Sequence, residues 1–122
     1  MDEACVIPAR YNSTRFPGKL LAMVRGKTIL QRTIESALSY FALEQVFVAT
    51  DDERIANHVE KLGVRPIWTS PACPTGTDRI AEAILQCPEL QTVELIVNLQ
   101  GDHPCTRADT LRAAVEVLRA DP

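Results

Sequence analysis

Four short runs rich in apolar and β-branched residues alternate along this chain with four segments of helical period, and that alternation constrains the fold more than any other feature. The spacing predicts strands at Ala4–Ala9, Val46–Thr50, Arg65–Thr69 and Val93–Leu99. They are short and mostly apolar, as strands covered on both faces are, so an α/β architecture with a parallel-rich sheet and helices on both faces is expected. The first helix, near Thr28–Phe41, puts Leu30, Ile34, Ala37, Leu38 and Phe41 on one stripe. The second, near Asp51–Leu62, does the same with Ile55, Val59 and Leu62; Thr50-Asp-Asp-Glu53 reads as its capping box and Gly63 as its C′ residue. The third is expected over Thr77–Cys87, stopped by Pro88, and the fourth from about Thr106 to Arg119. A further crossover strand is expected after that helix, where the chain reaches Ala120-Asp-Pro122, so residues 1–122 read as the front half of a larger unit.

Composition supports a packed domain: 46% hydrophobic and 24% charged residues exclude disorder, collagen and low complexity. No run approaches the roughly 18 consecutive apolar residues of a membrane span, and Met1-Asp2-Glu3 lacks a basic signal-peptide start, so a cytoplasmic protein with no membrane partner is expected. Cys5, Cys73, Cys87 and Cys105 form no C-x-x-C pair and read as reduced, unmetallated thiols. The net charge of −3 speaks against a nucleic-acid partner, but the first 32 residues carry six basic groups against Asp2 and Glu3. A small anion bound near the amino terminus is the natural reading.

In an open α/β sheet, ligands bind beyond the carboxyl ends of the strands. The loop after the first strand, Pro8-Ala-Arg-Tyr-Asn-Ser-Thr-Arg-Phe-Pro-Gly-Lys19, gathers Arg10, Arg15 and Lys19 with Ser13, Thr14 and Gly18 and contains no acid. That set suits a polyphosphate, which cations neutralise and hydroxyls donate to; a solvated basic surface loop is the other reading. Gly26-Lys27-Thr28 is not a P-loop, because Leu21 stands where that motif needs glycine, and no G-x-G-x-x-G follows the first strand. After the fourth strand, Asn98-Leu-Gln-Gly-Asp-His-Pro104 brings one carboxylate to the same rim, making Asp102 a candidate Mg²⁺ ligand or simply part of a Gly-Asp turn. His103 is a lesser candidate for a ligand or base. The loop after the third strand, Thr69 to Arg79, is rich in small hydroxyl side chains; it could meet a base edge, or cap its helix with Thr75 or Thr77. Asp51 and Asp52 could mimic an acidic site, with capping the preferred role.

Together these loops resemble the CMP-Kdo synthetases, the 3-deoxy-manno-octulosonate cytidylyltransferases. The blocks that carry the resemblance are Ile7-Pro-Ala-Arg-Tyr-Asn-Ser-Thr-Arg-Phe-Pro-Gly-Lys19, Val48-Ala-Thr-Asp-Asp-Glu-Arg54, and Gly76-Thr-Asp-Arg79 followed by Val97-Asn-Leu-Gln-Gly-Asp102. The resemblance implies a Rossmann-like nucleotide-diphospho-sugar transferase fold, of which this chain supplies the nucleotide-binding half. It implies transfer of CMP from CTP to Kdo with release of pyrophosphate, a requirement for Mg²⁺, a role in lipopolysaccharide biosynthesis, and dimerisation mostly through the half beyond residue 122. By residue, it implies that Arg10, Ser13, Arg15 and Lys19 hold the triphosphate, that Thr75, Gly76, Thr77 and Gln100 face the nucleoside, and that Asp102 binds the metal. Arg10, Lys19 and Asp102 would then be the catalytic set. The chain departs from the family pattern at His103, which replaces a glutamate, at Cys73, where histidine is common, and at Thr75, where serine is common. The family's sugar-binding residues and a second metal-binding aspartate fall beyond Pro122.

Two other readings compete. A cytidylyltransferase for another acidic sugar, such as sialic acid, would carry a first loop of the type R-x-G-S-K-x-[IL]-P-x-K-N, which Arg15-Phe-Pro-Gly-Lys19 fits less well. A truncated, non-catalytic nucleotide-binding domain is the third possibility. A response-regulator receiver domain is excluded, since acids after the first strand are missing.

Overall fold

A computed structural model describes residues 2–11, 18–73, 75–101 and 108–120. Four parallel strands form the sheet, β1 (Glu3–Pro8), β4 (Val46–Thr50), β5 (Arg65–Trp68) and β6 (Leu95–Asn98), in the spatial order β5-β4-β1-β6. The register pairs Ile7 with Val48, Val6 with Asn98, and Ala49 with Ile67. The chain moves outward from β1 through β4 to β5, then crosses back to lay β6 on the opposite side of β1. That reversal makes the carboxyl end of β1 a topological switch point, where adjacent loops diverge and leave a crevice.

Alternation along β1 explains why both faces are covered. Cys5 and Ile7 point into one apolar cluster, with Leu30, Ile34, Ile55, Val59, Leu111 and Val115 from α1 (Ile29–Leu38), α2 (Glu53–Lys61) and α5 (Ala108–Ala120). Ala4 and Val6 point into the other, with Phe47, Ile67, Ile80, Ala83 and Leu90, beneath α3 (Gly76–Gln86) and the short α4 (Pro88–Gln91). The expected α/β class with helices on both faces is the observed one.

Local details differ from the expectations. Residues 23–28 form an antiparallel hairpin of β2 (Met23–Val24) and β3 (Lys27–Thr28), which the alternating pattern did not reveal. Its turn places Arg25 at φ 53° and Gly26 at φ 83°, and two successive positive φ values are what a two-residue turn of matching twist requires. The lysine and threonine that mimicked a phosphate loop are therefore a strand. Thr28 also caps α1, its hydroxyl accepting from the Gln31 amide at 3.0 Å. The capping box expected at Thr50 is displaced: Asp52 is the N-cap of α2, accepting from Arg54 N at 2.8 Å, while Thr50 Oγ1 accepts from the Asp52 amide at 3.2 Å. Two residues of separation, rather than three, bring that hydroxyl to the cap's own N–H. Pro88 ends α3 but at once starts α4, occupying its first turn where no amide is needed. Among the described residues no helix is long and apolar enough to cross a membrane.

Candidate functional site

The site is built from the segments leaving β1, β5 and β6. Beyond Pro8 the backbone stays tied to the sheet, Ala9 N donating to Ala49 O at 2.8 Å, so Arg10 emerges at a fixed point on the rim and is exposed there. On either side of residues 12–17, Gly18 N donates to Tyr11 O at 2.7 Å. Gly18 has φ 75°, and a Cβ there would lie 3.0 Å from the Tyr11 ring, so both its backbone and the close approach favour glycine. The Arg54 guanidinium lies over that ring, 3.2 Å from its centroid. Arg54 is held in turn by Asp52 at 2.8 Å, and Arg54's hydrogen bond keeps the Asp52 carboxyl below its ordinary range.

From β6, Leu99 N continues the ladder to Val6 O at 3.3 Å and aims Gln100 at the start of α3. A Cβ on Gly76 would lie 3.0 Å from Gln100 Nε2 and 3.2 Å from Pro8 Cγ. Gly76 is thus the residue that lets the Gln100 amide lie against the amino terminus of α3. Thr75 is the cap of that helix, accepting from Asp78 N at 3.1 Å and donating to Asp78 Oδ2 at 2.7 Å. Of the two threonines that sequence left open, Thr75 takes the capping role.

A cavity of about 150 Å³ opens here, lined by Pro8, Ala9, Arg10, Cys73, Thr75, Gly76, Arg79 and Gln100. A second, of about 160 Å³, shares Arg10, Cys73 and Arg79 with it and reaches Tyr11, Asp51 and Asp52. The structure brings Arg10, Thr75, Gly76 and Gln100 together around one crevice. Lys19 and Thr77 do not line it; Lys19 lies on the short 3-10 turn Lys19–Leu21 and Thr77 is exposed on the first turn of α3. Ser13, Arg15, Asp102 and His103 lie outside the described residues.

Two groups went unassigned in the sequence. Arg79, 4% exposed, sits on the buried stripe of α3 with Ile80 and Ala83, and an arginine on such a stripe was the available signal. Glu82 receives the Ser70 amide at 2.9 Å and the Cys73 thiol at 2.9 Å, pinning the loop after β5. The Cys73 hydrogen bond, with the Ser70 amide behind it, holds Glu82 below the usual carboxylate range, and the same carboxylate pushes the Cys73 thiol up. Among the described residues no three His, Cys, Asp or Glu side chains converge as a metal site. The side chains that the β6 end brings to the rim are the amides of Asn98 and Gln100, both exposed, with the Asp102 carboxylate two positions further in sequence. Oxygen donors of this kind fit a hard cation that completes its shell with phosphate oxygens and water.

The sequence profile of the cytidylyltransferases matches residues 4–122. This chain belongs to the cytidylyltransferase family. A family member from Protochlamydia amoebophila, a 3-deoxy-manno-octulosonate cytidylyltransferase, is 53% identical over 117 residues, covering 96% of this chain and 45% of that protein. The solved structure of CMP:2-keto-3-deoxy-manno-octonic acid synthetase complexed with CTP superimposes with a TM-score of 0.89 at 36% identity, covering all of this chain (100%) and 49% of that one. A manganese complex of a Mycobacterium tuberculosis protein, with TM-score 0.71 and 18% identity over 98% of this chain and 61% of that one, shares the fold. The chain spans about half the length of the curated cytidylyltransferases it matches, 45% of the Protochlamydia protein.

Proposed function

We propose that residues 1–122 are the nucleotide-binding half of a single cytidylyltransferase domain that transfers CMP from CTP to Kdo, releasing pyrophosphate for lipopolysaccharide biosynthesis in the cytoplasm. The observation that carries this reading is the convergence of Arg10, Gly76 and Gln100 on one crevice at the switch point of the sheet. The CTP-complexed synthetase and the 3-deoxy-manno-octulosonate cytidylyltransferase relatives support the choice of nucleotide and sugar.

In this reading the anomeric hydroxyl oxygen of Kdo forms the new bond to the α-phosphorus of CTP and gives up its proton to solvent, as the bond to the bridging oxygen breaks and pyrophosphate leaves. Arg10, Ser13, Arg15 and Lys19 hold the triphosphate and offset the charge that develops on it. Thr75, Gly76, Thr77 and Gln100 orient the nucleoside. Asp102 would hold Mg²⁺, which supplies charge neutralisation of the phosphates when bound. His103, beside it in sequence, brings no second carboxylate to that ion. Dimerisation, as in the family, would run mostly through residues that follow this segment.

The test is calorimetry with CTP and Mg²⁺ on this chain, together with pyrophosphate release in a full-length protein carrying it. CTP is expected to bind, and Arg10→Ala or Lys19→Ala to lower turnover by about 10²–10³, the scale for one preorganised electrostatic donor. Near-normal kinetics in both variants would sink the assignment of those two residues, and absence of CTP binding would sink the function.

A further inference from the structure

Tyr11 and Gly18 flank residues 12–17, the segment that carries Ser13 and Arg15, and both are tied to the rigid part of the fold at one place. The Tyr11 ring packs against the apolar cluster of Ile7 and Ile55 and has the Arg54 guanidinium over it, 3.2 Å from the centroid. Gly18 donates its amide to the Tyr11 carbonyl at 2.7 Å, and lies so near the ring that a Cβ would meet it at 3.0 Å. Arg54 in turn is held by both arms of its fork, Nε donating to Asp52 Oδ1 at 3.1 Å and Nη2 to Asp52 Oδ2 at 2.8 Å. Asp52 is the N-cap of α2, and its amide donates to Thr50 Oγ1, at the end of β4, at 3.2 Å. A continuous line of contacts therefore runs from the sheet through Asp52, Arg54 and Tyr11 to Gly18.

Arg54 is placed to serve this stack rather than an anion. Its bidentate pair with Asp52 offsets its charge, so it adds no net repulsion beside a segment rich in cations. Over an aromatic ring a planar, delocalised cation gains stacking as well as charge–quadrupole attraction. Arg54 lines neither cavity of the crevice, whereas Tyr11 lines the second beside Arg10.

We propose that the Tyr11–Arg54 stack is a positioning device that fixes the two ends of residues 12–17 relative to Arg10, preparing this segment to receive a triphosphate. This rests on the nucleotide-binding reading above. Neither side chain is a phosphate ligand. The stack acts on the backbone at Tyr11 and Gly18, so that less conformational freedom is lost when the anion binds.

The experiment measures binding of CTP and of inorganic tripolyphosphate, each with Mg²⁺, by calorimetry on the parent chain, Tyr11→Leu, Tyr11→Phe, Arg54→Gln and the Tyr11→Leu/Arg54→Gln double variant, with melting followed by circular dichroism. Tyr11→Leu and Arg54→Gln should each weaken both ligands by the same factor, about fivefold, the scale of one cation–π contact. Arg54→Gln should melt within a few degrees of the parent, because an exposed ion pair adds little stability. Tyr11→Phe keeps the ring and should bind as the parent does. The double variant should lose no more than either single one, since each removes the same contact, whereas two independent phosphate ligands would lose additively. Additive losses overturn the inference, as does a loss confined to CTP, or unchanged affinity for both ligands in the two single variants. A parent chain that binds neither CTP nor tripolyphosphate overturns the nucleotide-binding reading itself, and this inference with it.

Discussion

Single side chains in the crevice carry distinct and separable tasks. Gly76 acts by what it lacks, since any Cβ would meet the Gln100 amide and the Pro8 ring. Gly76→Ala should leave the melting temperature within a few degrees, because the gain in helix propensity, about 0.5–1 kcal/mol, offsets the crowding. CTP affinity should nonetheless fall about tenfold as Gln100 is displaced, equivalent to roughly 1.4 kcal/mol; unchanged affinity by calorimetry would show that Gln100 does not meet the nucleotide. Cysteine chemistry is graded by surroundings. Burial pushes the Cys5 thiol up to about 12, so it should resist alkylation in the folded chain. Cys73 is partly exposed, and its thiol is raised mainly by the hydrogen bond to the Glu82 carboxylate, then by burial. Glu82→Gln should therefore speed iodoacetamide labelling of Cys73 at pH 8 severalfold, read by peptide mass spectrometry, with Cys5 and Cys87 still protected.

Between elements, the cap of α1 doubles as a link to α2. Thr28 Oγ1, which accepts from the Gln31 amide, also lies 2.7 Å from His58 Nε2 in hydrogen-bond contact. Partial burial, and then the nearby Lys61, lower the His58 pKa from its usual 6.5. The sign follows directly: the unfolded chain binds this proton more readily than the folded one. His58 therefore costs nothing above about pH 6.5, and stability falls as pH drops from there through its lower folded-state value. Urea denaturation between pH 8 and pH 5 should show that loss in the parent and less of it in His58→Gln. Thr28→Val removes the cap as well and should cost about 1–2 kcal/mol at pH 8. Equal pH dependence in parent and His58→Gln would contradict the link.

At the scale of the molecule, the crevice depends on two helical layers meeting one sheet. Thr33, fully buried in α1, places its hydroxyl 2.7 Å from the Gly101 carbonyl and 3.2 Å from that of Ile29, so the core itself holds the segment leading to Asp102. Thr33→Val keeps the volume but orphans a buried carbonyl, at a cost of about 1–3 kcal/mol. If Asp102 holds the ion, the same variant should raise the Mg²⁺ concentration needed for CTP binding; a lower melting temperature with an unchanged Mg²⁺ titration would separate the fold from the site. The period of the apolar residues determined by itself the parallel α/β class, the helices on both faces and the rim on which Arg10 and Gln100 stand, because burial on two faces writes itself into local pattern. Pattern also misled where chemistry was local and ambiguous: Thr50 resembled a cap that Asp52 provides, and Gly26-Lys27-Thr28 resembled a phosphate loop but forms a hairpin. Only the tertiary structure decided the order β5-β4-β1-β6, which opens the crevice beside β1, and only it set Arg79 against Thr69 and Asp51. Those contacts join residues far apart along the chain, and their energy depends on packing and solvent exclusion that no local spacing records.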